Sequence, residues 1–342
     1  MLCLSGWFLD GGTLREGYVL AEDGIAAEAG EGKPPAEPDA SGIIVPLMTD
    51  GHTHCADAGA APLVRPGMTL EELVAPPDGL KHRYLRKAPR SELLGSMGRF
   101  DSEAAANGIG RFIDFREGGL EGVLMAKSAC PHAIVLGRPV SGEFDQSEID
   151  AILGSADGIA ISSLTDIGNR YAEKIADACR RAGKPFALHL SERIREDAEE
   201  ALSLEPAFAV HMCEAAEGDL RMFADADVPI VSCPRSNRFF GKVPPLASML
   251  SAGCTVALGT DNAMLCSPDL RPEASLAADI LRSQGGDPGA AWGMMASAGS
   301  KLLNRARALD GTIEGRRVCV LPCPGRDAGS ALDCRSPAFT PR

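Results

Sequence analysis

Eight short, nearly continuous apolar runs recur along the middle of this chain, and longer amphipathic or polar stretches separate them. The runs read GIIVPLMTD, IGRFIDF, HAIVLGRPV, GIAISSLTD, PFALHLSE, AFAVHMCE, VPIVSCPRS and TVALGTDNA. A strand covered on both faces needs no polar alternation, so such runs mark a parallel sheet buried under helices. The segments between them, among them EGVLMAKSAC, SEIDAILGSA, RYAEKIADACRRAG and EGDLRMFADAD, read as helices. Eight strand–helix repeats over about 260 residues fit an α/β fold of the (β/α)8 barrel type in number and in length. A doubly wound open sheet is the alternative. No GxGxxG follows the first run, which counts against it.

The first 40 residues read differently. In GYVLAEDGIAAEAGEG two short strand-like stretches meet at Asp23-Gly24, a pair suited to a tight hairpin turn, and EGKPPAEPDASG after them is loop. Beyond the eighth run, EASLAADILRS, AAWGMMASAG and KLLNRARAL read as three helices. The tail GTIEGRRVCVLPCPGRDAGSALDCRSPAFTPR offers one strand, Val318 to Leu321. N-terminal strands and tail strand together are expected to form a small β-sandwich-like domain beside the barrel. The expected division is 1–42 and 309–342 for that domain and 43–308 for the barrel.

Charge narrows the partners. With 34 basic against 47 acidic side chains the net charge is −13, which argues against nucleic acid and anionic membrane surfaces, both of which select basic patches. No apolar stretch approaches the roughly 18 residues of a membrane span. The opening MLCLSGWFLDGG lacks a basic leader, and the 11 cysteines show no CxxC spacing, so reduced thiols in a cytoplasmic protein are expected. A homo-oligomer is compatible with the sequence, and a small molecule is the expected partner.

In a barrel the working residues gather at the carboxyl ends of the strands. His52 and His54 follow the first run, His189 and His211 close the fifth and sixth, and Asp261 closes the eighth. Four of the six histidines therefore fall where such a fold would collect them, while His82 and His132 do not. Imidazole nitrogens with one carboxylate suit a divalent transition ion such as Zn2+. Three histidines and the aspartate would hold one ion, with His211 either beside it or binding a second.

The ordered motifs MTDGHTH, HLSE, VHMCEA, CPRSN and LGTDNA resemble the amidohydrolase superfamily. More narrowly they are similar to its aminohydrolase branch: cytosine, guanine, adenosine-type and methylthioadenosine-type deaminases and the triazine hydrolases. The resemblance implies one divalent metal ion per chain, Zn2+ or else Fe2+, on His52, His54, His189 and Asp261. It matches Glu192 to the proton-shuttling glutamate of HxxE, and His211 to the histidine that touches the nucleophilic water or the substrate. Catalytic roles thus fall to Glu192, His211 and Asp261. The fourth run, GIAISSLTD, has no lysine of the kind that bridges two ions in dinuclear relatives. The family's NPxSN stands here as CPRSN, and its C-terminal acidic strand motif is replaced by GRRVCVLPCPGRDAG, so the second part of the small domain is expected to be short or irregular.

Arg116, Arg235, Ser236, Asn237 and His82 are the candidate substrate contacts, each with a structural alternative. The two arginines would meet an anionic group or fix a loop. The reaction implied is hydrolytic deamination of an amino-substituted nitrogen heterocycle, such as a purine, pyrimidine, pterin or nucleoside. Two rivals stand beside it: a cyclic amidohydrolase or chlorohydrolase on the same metal set, and an inactive barrel that only binds.

Overall fold

The structure is a computed structural model that describes residues 1–75, 77–303, 313–325 and 327–341. The chain opens with β1 (Leu2–Asp10), β2 (Thr13–Glu22), β3 (Ile25–Glu31) and β4 (Ala40–Pro46). β2 and β3 join at Asp23-Gly24, whose φ values of 49° and 74° are both left-handed, as a two-residue hairpin matched to strand twist requires. A second series follows: β5 (Met48–His54), β6 (Ile109–Arg116), β7 (Ala133–Gly137), β8 (Gly158–Ile161), β9 (Phe186–Leu190) and β10 (Phe208–His211). It continues with β11 (Ile230–Ser232), β12 (Val256–Leu258) and β13 (Asp261–Asn262), and β14 (Val318–Leu321) comes last.

Two sheets result. β5 to β13 form a nine-stranded parallel sheet in the order β12-β11-β10-β9-β8-β7-β6-β5-β13, with helices between successive strands from β5 to β12. β12 and β13 are consecutive pieces of one segment interrupted at Gly259-Thr260. The first pairs with β11 and the second with β5, through Asp261↔Thr53 and Asn262↔His54, so the sheet curls until its two ends meet. Alternate residues then face opposite ways. Ile113 and Phe115 of β6 join Leu136, Ala187, Phe208 and Val210 in the core inside the curl. Phe112 faces outward into the larger core, packed edge-on against Phe100 of the helix Arg90–Ala106 at 5.2 Å between ring centres.

The other strands form a five-stranded sheet in the order β14-β4-β1-β2-β3. The tail strand lies where the sequence put it and pairs antiparallel with β4, Val318 opposite Pro46 and Leu321 opposite Ile43. Among the described residues this part is one sheet rather than two stacked ones, which corrects the expected sandwich. The physical reason is that each face already has cover. Leu4, Phe8, Val19, Ile44 and Val320 share a small core on one face, while Ile43, Val45, Cys319 and Leu321 point into the large core.

A second correction concerns GIIVPLMTD, read as one barrel strand. It breaks at Leu47, giving β4 to the five-stranded sheet and β5 to the parallel one. The expected boundary at residue 42 therefore falls inside β4, and the one at 308 lies outside the described residues, as does most of KLLNRARAL. Because Phe112 is fully buried, Phe112→Ala is expected to lower stability by about 3–5 kcal/mol through lost burial and an unfilled cavity. A urea melt whose midpoint shifts down, set against a near-unchanged one for exposed Leu124→Ala, checks it.

Candidate active site

The strand ends bring the predicted residues together. His52 and His54 are two apart on β5 and so project from one face. His189 comes from β9, His211 ends β10, and Asp261 opens β13. Asp261 Oδ1 lies 3.2 Å from His52 Nε2 and 3.6 Å from His54 Nε2. His52 Nε2 also lies 3.3 Å from His189 Nε2. His189 and His211 stack with ring centres 5.4 Å apart. His52, His54 and Asp261 make one buried group of potential donors within 4.8 Å of one another, and His52, His189 and His211 make a second that shares its first member.

Hydrogen bonds decide which nitrogens face inward. Nδ1 of His54 lies 3.1 Å from the carbonyl of Phe115, and Nδ1 of His189 lies 3.1 Å from that of Ile161. A ring that donates through Nδ1 presents an unprotonated Nε2, which His54 turns toward Asp261 and His189 turns toward His52. Burial first, then the Lys81 charge, pushes His54 down to about 3, and burial lowers His52 and His189 as well. Burial alone would raise Asp261, but the hydrogen bond from His52 and the neighbouring imidazoles hold it well below the usual carboxylate range. Neutral imidazoles around an ionised carboxylate are the protonation states a divalent ion needs, so the donor set fits one.

Local backbone strain marks the same place. His211, Met212 and Asp261 have φ values of 79°, 53° and 61°, in a region that non-glycine residues occupy rarely and mainly where function over-determines them. Neighbours hold them there. Ser236 Oγ donates to Asp261 Oδ2 at 2.5 Å, and the Asn237 side-chain amide meets His211 Nδ1 at 3.0 Å. Asp50 accepts from the Thr260 amide and hydroxyl at 3.0 and 2.7 Å, clasping the β12–β13 link to β5. His52 Nδ1 has no partner among the described residues, so its ring rests on packing: Phe115 at 4.4 Å, and Gly259, whose missing Cβ would fall 2.9 Å from the His52 amide.

Glu192 follows β9 and brings Oε1 to 3.7 Å from His211 Nε2. With His211 and Asp261 it forms a third close group within 4.8 Å. Burial raises its pKa. His54, His189, Glu192, His211 and Asp261 all line one cavity of about 220 Å3 at the carboxyl ends of the strands.

The remaining candidates sit elsewhere. Arg116 is 2 % exposed and spans Asp114 at 3.3 Å and Glu117 at 2.6 Å, outside the cavity lining. Arg235 reaches Glu273 at 2.6 Å and the carbonyls of Ser267 and Asp269, tying its helix to the helix Leu270–Ser283. Buried carboxylates already engage both arginines. Ser236 and Asn237 do not line the cavity but brace Asp261 and His211. His82 bonds the Val74 carbonyl at 3.0 Å and also lies outside the lining. Its neighbour Lys81, on the helix Leu80–Lys87, enters the cavity instead, with Arg138 and Asn262. Arg138 follows β7 directly, so the strand-end rule was the signal that could have found it. Lys81 carried no such signal.

No family model matches the chain. It is 34% identical over 298 residues to a protein of Methanothermobacter thermautotrophicus with the provisional name aminohydrolase, covering 79% of this chain and 77% of that one. A like-named protein of Archaeoglobus fulgidus is 35% identical over 240 residues, covering 70% of this chain and 69% of that one. In fold it is similar to the zinc-bound adenosine deaminase of Xanthomonas campestris, with a TM-score of 0.71 at 15% identity over 95% of this chain and 85% of that one. The chain belongs to the amidohydrolase superfamily, in its aminohydrolase branch. It is accordingly a hydrolase of non-peptide carbon–nitrogen bonds.

Ser236 and Arg235 are adjacent yet do different work, and metal titration separates them. Removing the hydroxyl that braces Asp261 is expected to weaken metal binding about 10–100-fold in Ser236→Ala, read by competition with a chelator. Arg235→Met is expected to lower the melting temperature while leaving metal affinity within a few-fold of the parent.

Proposed function

We propose that this protein is a metal-dependent hydrolytic deaminase that releases ammonia from an amino-substituted nitrogen heterocycle. The observation that carries this reading is the meeting of Glu192, His211 and Asp261 within 4.8 Å, beside the His52–His54–Asp261 group and in the same cavity. The curled parallel sheet is then the eight-stranded barrel of the superfamily, β12 and β13 counting as one strand. The division into 1–42, 43–308 and 309–342 is part of the proposal, with β4 straddling the first boundary. So is a cytoplasmic location; among the described residues no helix is long and apolar enough to cross a membrane.

In this reading His52, His54, His189 and Asp261 hold one divalent ion, Zn2+ or else Fe2+. Bound there, the ion supplies Lewis acidity, which brings the pKa of water toward about 7. The protein's own groups do the rest. Asp261, braced by Ser236, and His211, braced by Asn237, orient the attacking water, and Asp261 takes its proton. Glu192 gives a proton to the ring nitrogen beside the attacked carbon, so negative charge does not build up on the ring. Glu192 next takes the proton of the new C–OH and passes it to the amine; the C–N bond breaks as the carbonyl forms, ammonia leaves, and the proton held by Asp261 returns to Glu192.

The test is ammonia release across purines, pyrimidines, pterins and their nucleosides, followed by two variants. Glu192→Gln keeps size and most hydrogen bonding, so metal content should stay near that of the parent. Its kcat should fall by about 100-fold or more with a much smaller change in KM, because the lost interaction belongs to the transition state. The double variant His52→Ala, His54→Ala should lose its metal by elemental analysis. Ring-opened product or released chloride in place of ammonia would overturn deamination, and full metal occupancy in the double variant would overturn the ligand assignment.

A further inference from the structure

The cavity has two unlike walls. Acids from the loops after β8 and β9 line one of them. Asp166 there is paired with Arg193 at 3.3 Å, and Glu196 accepts the Ser191 amide and the Thr165 hydroxyl at 2.9 Å each. Glu192 is left facing the reacting groups. The lining built after β5 and β7 is cationic. Lys81, 3 % exposed, and Arg138, 16 % exposed, both belong to it.

These two cations share a single carboxylate oxygen. Glu117 Oε1 lies 2.5 Å from Lys81 Nζ and 3.5 Å from an Arg138 guanidinium nitrogen, while its Oε2 is taken by Arg116 at 2.6 Å. Arg116 in turn also engages Asp114. Lys81, Arg138 and Arg116 therefore face Glu117 and Asp114, three cations to two carboxylates. Glu117 Oε1 also lies 2.9 Å from His54 Nδ1, and the hydrogen bond of Lys81 to Asn262 is a long 3.5 Å. Burial, opposed in part by the Lys81 charge, raises the nearby Asp57 to about 8. An unmatched buried cation is unfavourable unless something anionic arrives to meet it. Arg138 also stands where the cavity meets a second one of about 160 Å3, with Ser162 and Asp166 at the same junction, so a ring beside Glu192 has room for a substituent beyond it.

We infer that Lys81 and Arg138 form a subsite for an anionic oxygen group, and that the substrate is an amino-substituted heterocycle carrying a carboxylate or phosphate. The guanidinium fork suits two oxygens at once, and the lysine adds a point charge from the side. The inference rests on the deaminase reading for the ring, though the subsite can be measured without turnover.

The probes are matched pairs: adenosine 5′-monophosphate against adenosine for phosphate, and pterin-6-carboxylate against pterin for carboxylate. Binding is read by calorimetry on metal-loaded Glu192→Gln, alone and with Lys81→Met or Arg138→Met added. The charged member of at least one pair is expected to bind about tenfold or more tighter than its neutral partner, and either added change should shrink that ratio toward one. Which pair responds tells phosphate from carboxylate. Arg138 is the less buried of the two, so Arg138→Met keeps the test alive if Lys81→Met fails to fold. Equal binding within both pairs, no binding by any member, or a preference that survives both changes would overturn the subsite. Ammonia release by the parent enzyme is scored separately. A charged probe that binds through Lys81 and Arg138 but yields no ammonia keeps the subsite and counts against deamination. Equal release from charged and neutral members does the reverse.

Discussion

Two backbone pairings, Asp261 with Thr53 and Asn262 with His54, join the last piece of the parallel sheet to its first strand. Residues some two hundred positions apart in sequence become neighbours there, and one of them brings the carboxylate that the imidazoles surround. The join is reinforced from outside by Asp50, which grips Thr260 through both amide and hydroxyl. It is kept tight by Gly259, where any side chain would strike the backbone of His52. Without this closure His52 and His54 would face a gap in place of Asp261. The site is therefore a property of the whole curl and not of any one loop.

Desolvation then sets the chemistry of that point. Buried imidazoles resist protonation and become lone-pair donors, whereas the one carboxylate among them stays charged because they surround it. Glu192, reached from the cavity and shifted the other way, is suited to carry a proton. Two opposite shifts from neighbouring groups are what acid–base work at neutral pH requires.

Much of this was legible in the sequence because it is written locally. A continuous apolar run gives a covered strand, and the residue after it gives the rim, so His189, His211 and Asp261 could be placed by counting. His52 and His54 needed only the two-residue period of a strand. What stayed hidden depends on distant partners. Arg116 and Arg235 look identical in sequence to ligand-binding arginines, and only Asp114, Glu117 and Glu273 reveal that they are already engaged. Lys81 sits in a segment with no strand-end landmark, so its entry into the cavity follows from the packing of a helix that sequence periodicity does not orient. The break at Leu47 escaped for a similar reason: two covered strands in series read as one.

That break ties the two sheets together in time as well as in space. β4 is followed after a single residue by the strand that carries His52 and His54, and its outer edge is covered by β14, which lies more than 250 residues further along. During synthesis the first half of the site emerges early, attached to a strand whose amide and carbonyl groups on that side have no partner. An open hydrophobic edge of this kind invites pairing with another chain until its own partner arrives. The fold is thus most exposed to misassembly while the ribosome is still translating the barrel, and a small tail strand, remote from all the chemistry, ends that exposure.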